Sequence, residues 1–251
     1  MTARIAADAA RYGDEFADVY DDWYDDLGDP AEVVAALRGL GLAEARRVVE
    51  LGVGTGRLAI PLAEAGWDVV GIDASHAMAE VLEAKVEVRP ALAGRVAVRV
   101  GDVAHESAWP DHDVDVVLAS FNLLLNLPDR AAQAATVAHA ADHLRPGGVL
   151  VCETQVLDLR SAPAEATVER PDGVVIHTVV DRAQGTVEGR HVEPDGTERR
   201  WRLRALAPAE LDALAAAAGL VPDARWGAWD GSPYVPGESH TAITVHRRPA
   251  G

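Results

Sequence analysis

Residues Val48 to Gly56 read VVELGVGTG, and a second apolar stretch, DVVGID, ends at Asp73. An apolar strand that runs into closely spaced glycines, followed by a helix and a second strand, is typical of a βαβ unit. Glycines at such a turn permit a tight bend and a close approach of the backbone to a ligand, because they carry no Cβ. The two stretches therefore predict a nucleoside-binding site at the carboxyl ends of parallel strands.

The residues beside the glycines distinguish between two kinds of nucleoside ligand. A dinucleotide fingerprint, GxGxxG, would need a glycine at position 57, which is Arg57 in this chain. Glu50 stands beside the turn, where its charge would repel a pyrophosphate but suits a ligand with a cationic amino group. Asp73, at the tip of the second strand, is expected to bind the ribose hydroxyls of the ligand. This role is compatible with stabilising the N-terminus of the next helix. This combination favours S-adenosylmethionine over NAD.

Five segments, in chain order, resemble the motifs of the class I S-adenosylmethionine-dependent methyltransferases. They lie within residues 46–154 and read ELGVGTG, GIDAS, VGDVA, DVDVVLAS and LRPGGVLVCE. The resemblance implies an α/β, Rossmann-like fold with S-adenosylmethionine as cofactor. The glycines could instead form only a tight turn, and Asp102 could be an ordinary loop acid. The residues that the resemblance assigns to the cofactor are Glu50, Gly52, Gly54, Gly56, Asp73, Ala74, Met78, Asp102, Val103 and Ser120.

Apolar stretches and helical patterns alternate along this core. Such alternation predicts a mostly parallel sheet, here of seven strands, with helices on both faces. Two helices before it, Asp14 to Tyr24 and Ala31 to Leu40, predict an N-terminal helical cap. Core strands are expected near residues 46–51, 68–73, 95–100, 114–119 and 148–154, and core helices near 57–65, 75–87 and 129–143.

Residues 165–206 change to a period of two, with Pro-Asp-Gly at 171–173 and at 194–196. These patterns predict hairpins, and hence an antiparallel β insert after strand 5 that serves as a lid or a subunit contact. A helix from Pro208 to Ala218 and a last strand near Thr241 to Val245 follow. One methyltransferase domain over 1–251 is expected, with a cap (1–45), a cofactor-binding core (46–154), the insert (165–206) and a C-terminal helix and hairpin (207–251).

The whole-chain pattern resembles bacterial small-molecule N-methyltransferases of antibiotic biosynthesis, of the lincosamide and amino-sugar types. That resemblance implies methyl transfer to nitrogen, with Tyr12, Tyr20 and Phe121 around the acceptor. O-methylation is the close alternative, and a nucleotide-binding reductase or a non-catalytic binding module are alternatives of other classes. Further candidates are Asn122 and Asn126 as hydrogen-bonding groups, Tyr234 as a pocket wall and His240 as a general base, although Asn126 could belong to a buried connection.

The chain has 23 basic and 40 acidic residues, a net charge of −17, which argues against nucleic acid as a partner. Ten of these acids lie within residues 1–32. This acidic segment either attracts a cationic, amine-bearing acceptor or only favours solubility. The expected partners are therefore a small-molecule acceptor and, through the insert, a second copy of the chain.

Neither a membrane span nor a secretory leader is apparent, so a cytoplasmic protein is expected. The lone cysteine, Cys152, lies in an apolar strand and is expected to be a buried small hydrophobe. The nine histidines show no metal-binding spacing. His139 and His143 share a helix face, but the sequence offers them no third ligand, so no metal site is predicted.

Overall fold

Two β-sheets make up most of the strand content of the protein. A computed structural model describes residues 10–24, 28–42, 47–110 and 112–250. The strands are β1 (Arg47–Leu51), β2 (Asp68–Asp73), β3 (Val96–Val100), β4 (Val114–Ala119), β5 (Leu144–Gln155), β6 (Glu165–Glu169), β7 (Val175–Asp181), β8 (Thr186–Val192), β9 (Glu198–Arg204), β10 (Val221–Trp226) and β11 (Thr241–Arg247).

The larger sheet has the order β10-β11-β5-β4-β1-β2-β3. Its central pairs are parallel, and β11 runs antiparallel between β5 and β10. The strand order reverses between β1 and β4, which places a crevice at their carboxyl ends. The predicted fold class is confirmed. β5 is longer than expected, because Leu144 already pairs with Val114 before the Pro-Gly-Gly turn.

Helices cover both faces of this sheet. No helix within the described ranges is long and apolar enough to cross a membrane. The helical segments are α1 (residues 10–16), α2 (Tyr20–Trp23), α3 (Pro30–Gly39), α4 (Ala59–Glu64), α5 (His76–Glu87), α6 (Leu123–Asn126), α7 (Arg130–His143) and α8 (Pro208–Ala217), with 3₁₀ turns at Pro90–Leu92 and Glu106–Ala108.

Alternate side chains of the central strands enter two separate cores. Val49 and Cys152 pack with α6, α7 and α8, whereas Val48 and Val151 pack with α3, α4 and α5. Because both faces are covered, these strands are apolar at nearly every position. Cys152 is fully buried, as predicted, and burial raises the pKa of its thiol to about 12.

The predicted insert is a four-stranded antiparallel sheet of order β6-β7-β8-β9. Both Pro-Asp-Gly sequences lie at its hairpin turns, where Gly173 and Gly196 have φ of 85° and 91°. The third hairpin, between β7 and β8, turns at Gly185 with φ of 68° and was not predicted. The antiparallel strands of residues 165–204 could thus be predicted from the sequence, but one of the three hairpin turns could not.

The predicted helix from Asp14 to Tyr24 is wrong as a single element. Helix α1 ends at residue 16, and the Val19 N–H donates to the Phe16 carbonyl at 3.1 Å before α2 begins. Asp and β-branched residues are weak helix formers, so tertiary contacts decide the path here. Phe16 is fully buried, and its ring packs edge-on against Trp23 and His191 of β8.

Candidate active site

A cavity of about 400 Å³ lies at the carboxyl ends of the parallel strands. The glycine turn after β1 and the tips of β2, β3 and β4 form its floor, while α1, α2, β8 and β9 close it. The predicted residues that line it are Tyr12, Tyr20, Gly52, Gly54, Asp73, Ala74, Met78, Asp102, Val103, Ser120, Phe121 and Asn126.

The three glycines of the turn have different roles. All have positive φ (65°, 55° and 87° for Gly52, Gly54 and Gly56), a region that L side chains rarely adopt. A Cβ on Gly52 would lie 2.6 Å from Leu123, and one on Gly56 would lie 2.3 Å from Leu82 of α5. At Gly54 the nearest atoms are 4.0 Å away, so the backbone there is open to the cavity. Gly56 therefore packs against α5 and lies outside the cavity.

Asp73 connects the tip of β2 to the glycine turn. Its Oδ2 accepts a hydrogen bond from the Gly54 N–H at 2.8 Å, and its Oδ1 accepts from the Ser75 N–H at 2.9 Å. Burial raises the pKa of Asp73, while these two backbone donors oppose the rise. Each oxygen retains a lone pair, so the carboxylate can accept further hydrogen bonds from a ligand in the cavity.

Asp102 follows β3 and lines the opposite side of the same floor. Its Oδ1 accepts from the Ala104 N–H at 2.9 Å, and its side chain is only 8% exposed. The neighbouring Val103 carbonyl accepts a hydrogen bond from the Trp109 indole at 2.9 Å. This short segment is consequently held in one conformation by its own backbone and by a buried tryptophan.

Glu50 lies beneath the glycine turn, behind the cavity wall. It is 2% exposed, and its Oε2 has no hydrogen-bond partner among the described residues. Burial raises the pKa of Glu50 to about 8; nearby Arg57 opposes this rise and Asp73 adds to it. A buried carboxyl oxygen without a donor is costly, so the site gains from a ligand that brings a donor or a positive charge close to it.

Aromatic side chains of the cap form a wall of the cavity. Tyr12 stacks on Phe16 with ring centroids 4.7 Å apart, and Tyr24 meets Phe121 edge-on at 5.6 Å. A hydrogen bond joins the side chains of Tyr12 and Tyr24. Burial raises the pKa of Tyr12 and of Tyr20 above their ordinary value, so both phenols stay protonated at neutral pH.

The loop after β4 places Phe121 at the cavity and Asn122 away from it. Both residues have left-handed backbones, with φ of 47° and 65°. Asn122 Oδ1 accepts a hydrogen bond from the Gln155 N–H at 2.6 Å. The side chain of Asn122 thus holds the end of β5 and does not line the cavity, which corrects its predicted substrate contact. Asn126 does line it, and its Nδ2 donates to the Asn122 carbonyl at 3.2 Å.

Tyr234 and His240 also lie outside this cavity. The Arg225 guanidinium stands 5.8 Å from the centroid of the Tyr234 ring, within cation–π range. His240 is exposed at the start of β11, where its carbonyl accepts from the Val156 N–H. Their late position in the sequence suggested a pocket wall for Tyr234 and a general base for His240, but neither residue is among those that line the cavity.

Residues of the insert complete the cavity and were not predicted individually. Gly189 of β8 and Trp201 of β9 are paired, and a Cβ on Gly189 would lie 2.2 Å from the Trp201 ring. The glycine therefore lets the indole lie flat across β8, toward the cavity. Arg200 and Arg202 flank it and form ion pairs with Glu198 and Glu188. An isolated glycine in a strand often marks such a close approach, so Gly189 was the sequence signal that could have indicated this contact.

Acids of the N-terminal segment fasten the cap to the rest of the protein. Ser75 Oγ donates to Asp14 at 2.6 Å, and Lys85 Nζ lies 2.5 Å from Asp21. On the insert side, Arg199 lies 2.6 Å from Asp18 and is itself 8% exposed. The cap is thereby held between α5 and β9, and these acids have a structural use that the two sequence-based interpretations did not include.

Comparisons with known proteins agree with this geometry. Residues 48–148 match a family model described as a methyltransferase domain. The solved structure of the CcbJ methyltransferase from Streptomyces caelestis has 34% sequence identity and a TM-score of 0.85, over 96% of this chain and 99% of that one. The cypemycin N-terminal methyltransferase of a Streptomyces species is 27% identical over 96% of this chain and 100% of its own length.

An uncharacterised methyltransferase of Mycobacterium tuberculosis is 37% identical over 123 residues, which are 49% of this chain. The match covers 45% of that protein, so the chain spans about half the length of its mycobacterial relatives. The CcbJ likeness, by contrast, extends over both chains nearly end to end. The chain belongs to the S-adenosylmethionine-dependent methyltransferases.

Proposed function

We propose that this enzyme transfers a methyl group to a nitrogen atom of a small-molecule secondary metabolite by in-line displacement. The observation that carries the proposal is the chemistry of the cavity wall. Among the described residues, no histidine, lysine or cysteine lines the cavity. Its phenols, Tyr12 and Tyr20, have raised pKa values and are poor bases. The site is therefore better suited to an amine, because the lone pair of a neutral amine can attack without a protein base.

The free energy of deprotonation separates the two acceptor classes. An aliphatic amine with a pKa of about 10 loses its proton at a cost of about 4 kcal/mol at pH 7. For a hydroxyl as weakly acidic as water the same step costs about 12 kcal/mol. The described lining offers as bases only the carboxylates Asp73, Asp102 and Glu188 and neutral phenols, which are too weak to deprotonate such a hydroxyl, so only the smaller cost is compatible with rapid turnover. An amine can release its proton to solvent or to a hydrogen-bonded carboxylate before it attacks.

The cavity floor fits S-adenosylmethionine. The open backbone at Gly54 leaves room for the cofactor, and Asp73 and Asp102 offer carboxylate acceptors for its ribose hydroxyls and its adenine amine. The unpartnered Oε2 of Glu50 is compensated by a positively charged ligand group placed beyond the turn. When bound, the cofactor supplies an electrophilic methyl group on a sulfonium.

The protein's own contribution is alignment and exclusion of water. Tyr12, Tyr20, Phe121 and Trp201 surround the space above the floor with apolar ring faces. Held along the methyl–sulfur axis, a nucleophile gains an effective molarity on the order of 10⁵ M or more. The neutral phenols can direct an amine through hydrogen bonds without taking its proton. Asn126 also lines the cavity, and its Oδ1 is a further acceptor.

One relative supports a nitrogen target, and a second is similar over the whole chain. The cypemycin N-terminal methyltransferase is named for methylation of an amino terminus, and its match covers nearly all of this chain. The CcbJ methyltransferase is similar over the cap and the insert as well as the core. The proposal has three further parts. The acidic segment attracts a cationic acceptor, the enzyme acts in antibiotic biosynthesis, and the insert mediates self-association.

Matched pairs of acceptors test the proposal directly. Each pair consists of an amine and the alcohol that differs from it only by oxygen in place of nitrogen, offered with isotopically labelled S-adenosylmethionine. We expect labelled N-methyl product from amines, at a rate that rises with pH toward the pKa of the amine. Asp73→Ala is the control that product formation depends on this cavity. Methylation of the alcohols alone would overturn the nitrogen assignment in favour of O-methylation.

A further inference from the structure

Four polar side chains gather outside the cavity, between α7 and the segment that follows β3. Glu106, His112 and His143 each offer one ligand atom, and these atoms lie within 4.8 Å of one another. His139 Nδ1 lies 2.6 Å from Glu106 Oε2. No third ligand for the two α7 histidines is apparent in the sequence, because Glu106 and His112 approach them only through the fold.

Hydrogen bonds to the backbone decide which nitrogen of each ring is available. His143 Nδ1 lies 2.8 Å from the His139 carbonyl, and His112 Nδ1 lies 3.3 Å from the Asp142 carbonyl. A carbonyl only accepts, so in both rings Nδ1 carries the proton and the Nε2 lone pair is free in the neutral form. Such backbone hydrogen bonds commonly orient metal-binding histidines.

The free nitrogen of His143 faces another acceptor. His143 Nε2 lies 3.4 Å from Glu106 Oε1, and the histidine side chain is 2% exposed. Two acceptors at this distance repel unless a proton or a metal ion lies between them. The His112 ring stacks on His143 with centroids 4.4 Å apart, so a second imidazole lies beside this pair.

We propose that Glu106, His112 and His143 bind one divalent transition-metal ion of the zinc type. Imidazole nitrogen with one carboxylate oxygen is a ligand set that Zn²⁺ accepts, with a water in the fourth position. A tetrahedral site needs ligand atoms about 3.4 Å apart, the distance that already separates Glu106 Oε1 from His143 Nε2. The exposed His112 must therefore approach by up to about 1.4 Å and turn out of its stack on His143, because a ring nitrogen binds a metal in the plane of its ring. His139 orients the carboxylate from its other oxygen.

The position of this site gives it a structural role. The Trp109 ring packs 5.0 Å from the His143 ring, and its indole donates to the carbonyl of Val103, which lines the cavity. An ion on Glu106 would hold the segment between residues 102 and 109 against α7. Metal binding should therefore raise the melting temperature without being required for methyl transfer.

Calorimetric titration of tag-free, metal-free protein with zinc chloride tests the proposal. We expect one ion per chain with a dissociation constant in the micromolar range or below, and cobalt chloride should give the visible absorption bands of tetrahedral Co²⁺. His112→Ala changes an exposed side chain, so its folding is not at risk. It should weaken zinc binding at least about tenfold, as should Glu106→Gln.

His177→Gln, on β7 and away from the cluster, is the matched control and should bind zinc as the wild type does. Absence of zinc binding up to about 100 µM would mean that a proton occupies the gap, and the proposal would be wrong. Equal affinity in wild type and His112→Ala, or loss of affinity in His177→Gln, would place the ion elsewhere and overturn it as well.

Discussion

Glu153 Oε2 accepts a hydrogen bond from the backbone N–H of Phe121 at 2.9 Å. The other oxygen, Oε1, accepts from the Trp229 indole at 3.0 Å. One carboxylate at the end of β5 therefore supports the left-handed backbone that presents the Phe121 ring to the cavity. Left-handed conformations of non-glycine residues cost free energy and persist where surrounding contacts hold them.

We expect Glu153→Gln to lower turnover and to destabilise the protein by about 1–3 kcal/mol, the scale for a hydrogen bond to a charged acceptor. The amide can accept from only one of the two donors and turns its own N–H groups toward the other. Urea unfolding and initial rates measure the two effects. Trp229→Phe removes the indole donor alone and should spare turnover; equal loss of turnover in both variants would contradict the role given to Phe121.

Asp73→Ala is expected to weaken binding of S-adenosylhomocysteine by about 1–3 kcal/mol, measured by calorimetry. The change removes a carboxylate acceptor from the cavity and also the hydrogen bond that holds Gly54. Asp68→Ala, at the exposed opposite end of the same strand, is the control and should leave affinity unchanged. If Asp73→Ala also bound the ligand at wild-type affinity, the ribose assignment would be lost.

Glu50 should make stability depend on pH. Its pKa in the folded chain is about 8, against an ordinary value of 4.5, so the folded state holds more protons between these limits. The contribution of Glu50 to stability is thus fully present below about pH 4.5 and is lost as pH rises through about 8.

Glu50→Gln cannot ionise, so its stability relative to wild type should increase from about pH 5 to about pH 8. Urea unfolding of the ligand-free protein at both values measures this difference, in which other titrating groups cancel. Glu64→Gln, an exposed carboxyl on α4, is the control with no such trend. A constant difference for Glu50→Gln would show that the buried carboxyl is already ionised at the lower pH.

Tyr20→Phe removes one phenol from the cavity while keeping its ring. We expect a loss of about 2- to 10-fold in turnover or in cofactor affinity, the equivalent of one neutral hydrogen bond. Tyr234→Phe makes the same chemical change outside the cavity and should leave both quantities at the wild-type level. Wild-type values in Tyr20→Phe would mean that the cap covers the site without contacting the reacting groups.

The floor of the cavity could be predicted because its signals are local. Gly52, Gly54 and Asp73 belong to one βαβ unit, in which strand period and glycine spacing decide both the elements and the position of the turn. Parallel strands then bring Asp102 and Ser120 to the same edge of the sheet without further information. The different roles of the glycines could not be predicted, because Gly56 packs on Leu82 of the neighbouring helix and this contact is seen only in the fold.

The upper wall of the cavity depends on residues that are far apart in the chain. Trp201 reaches the cavity because Gly189 opposite it has no side chain, and Tyr20 does so because Asp18 is held by Arg199. Sequence order suggested His240 as a general base, but it is not among the residues that line the cavity.

By itself, the sequence determined the alternating strands and helices, the glycine turn and the family, since short-range periodicity and backbone preference encode them. Only the tertiary structure decided which side chains meet across the cap, the insert and α7. Those contacts depend on a packing free energy that is shared among many long-range contacts, and no local sequence pattern encodes it.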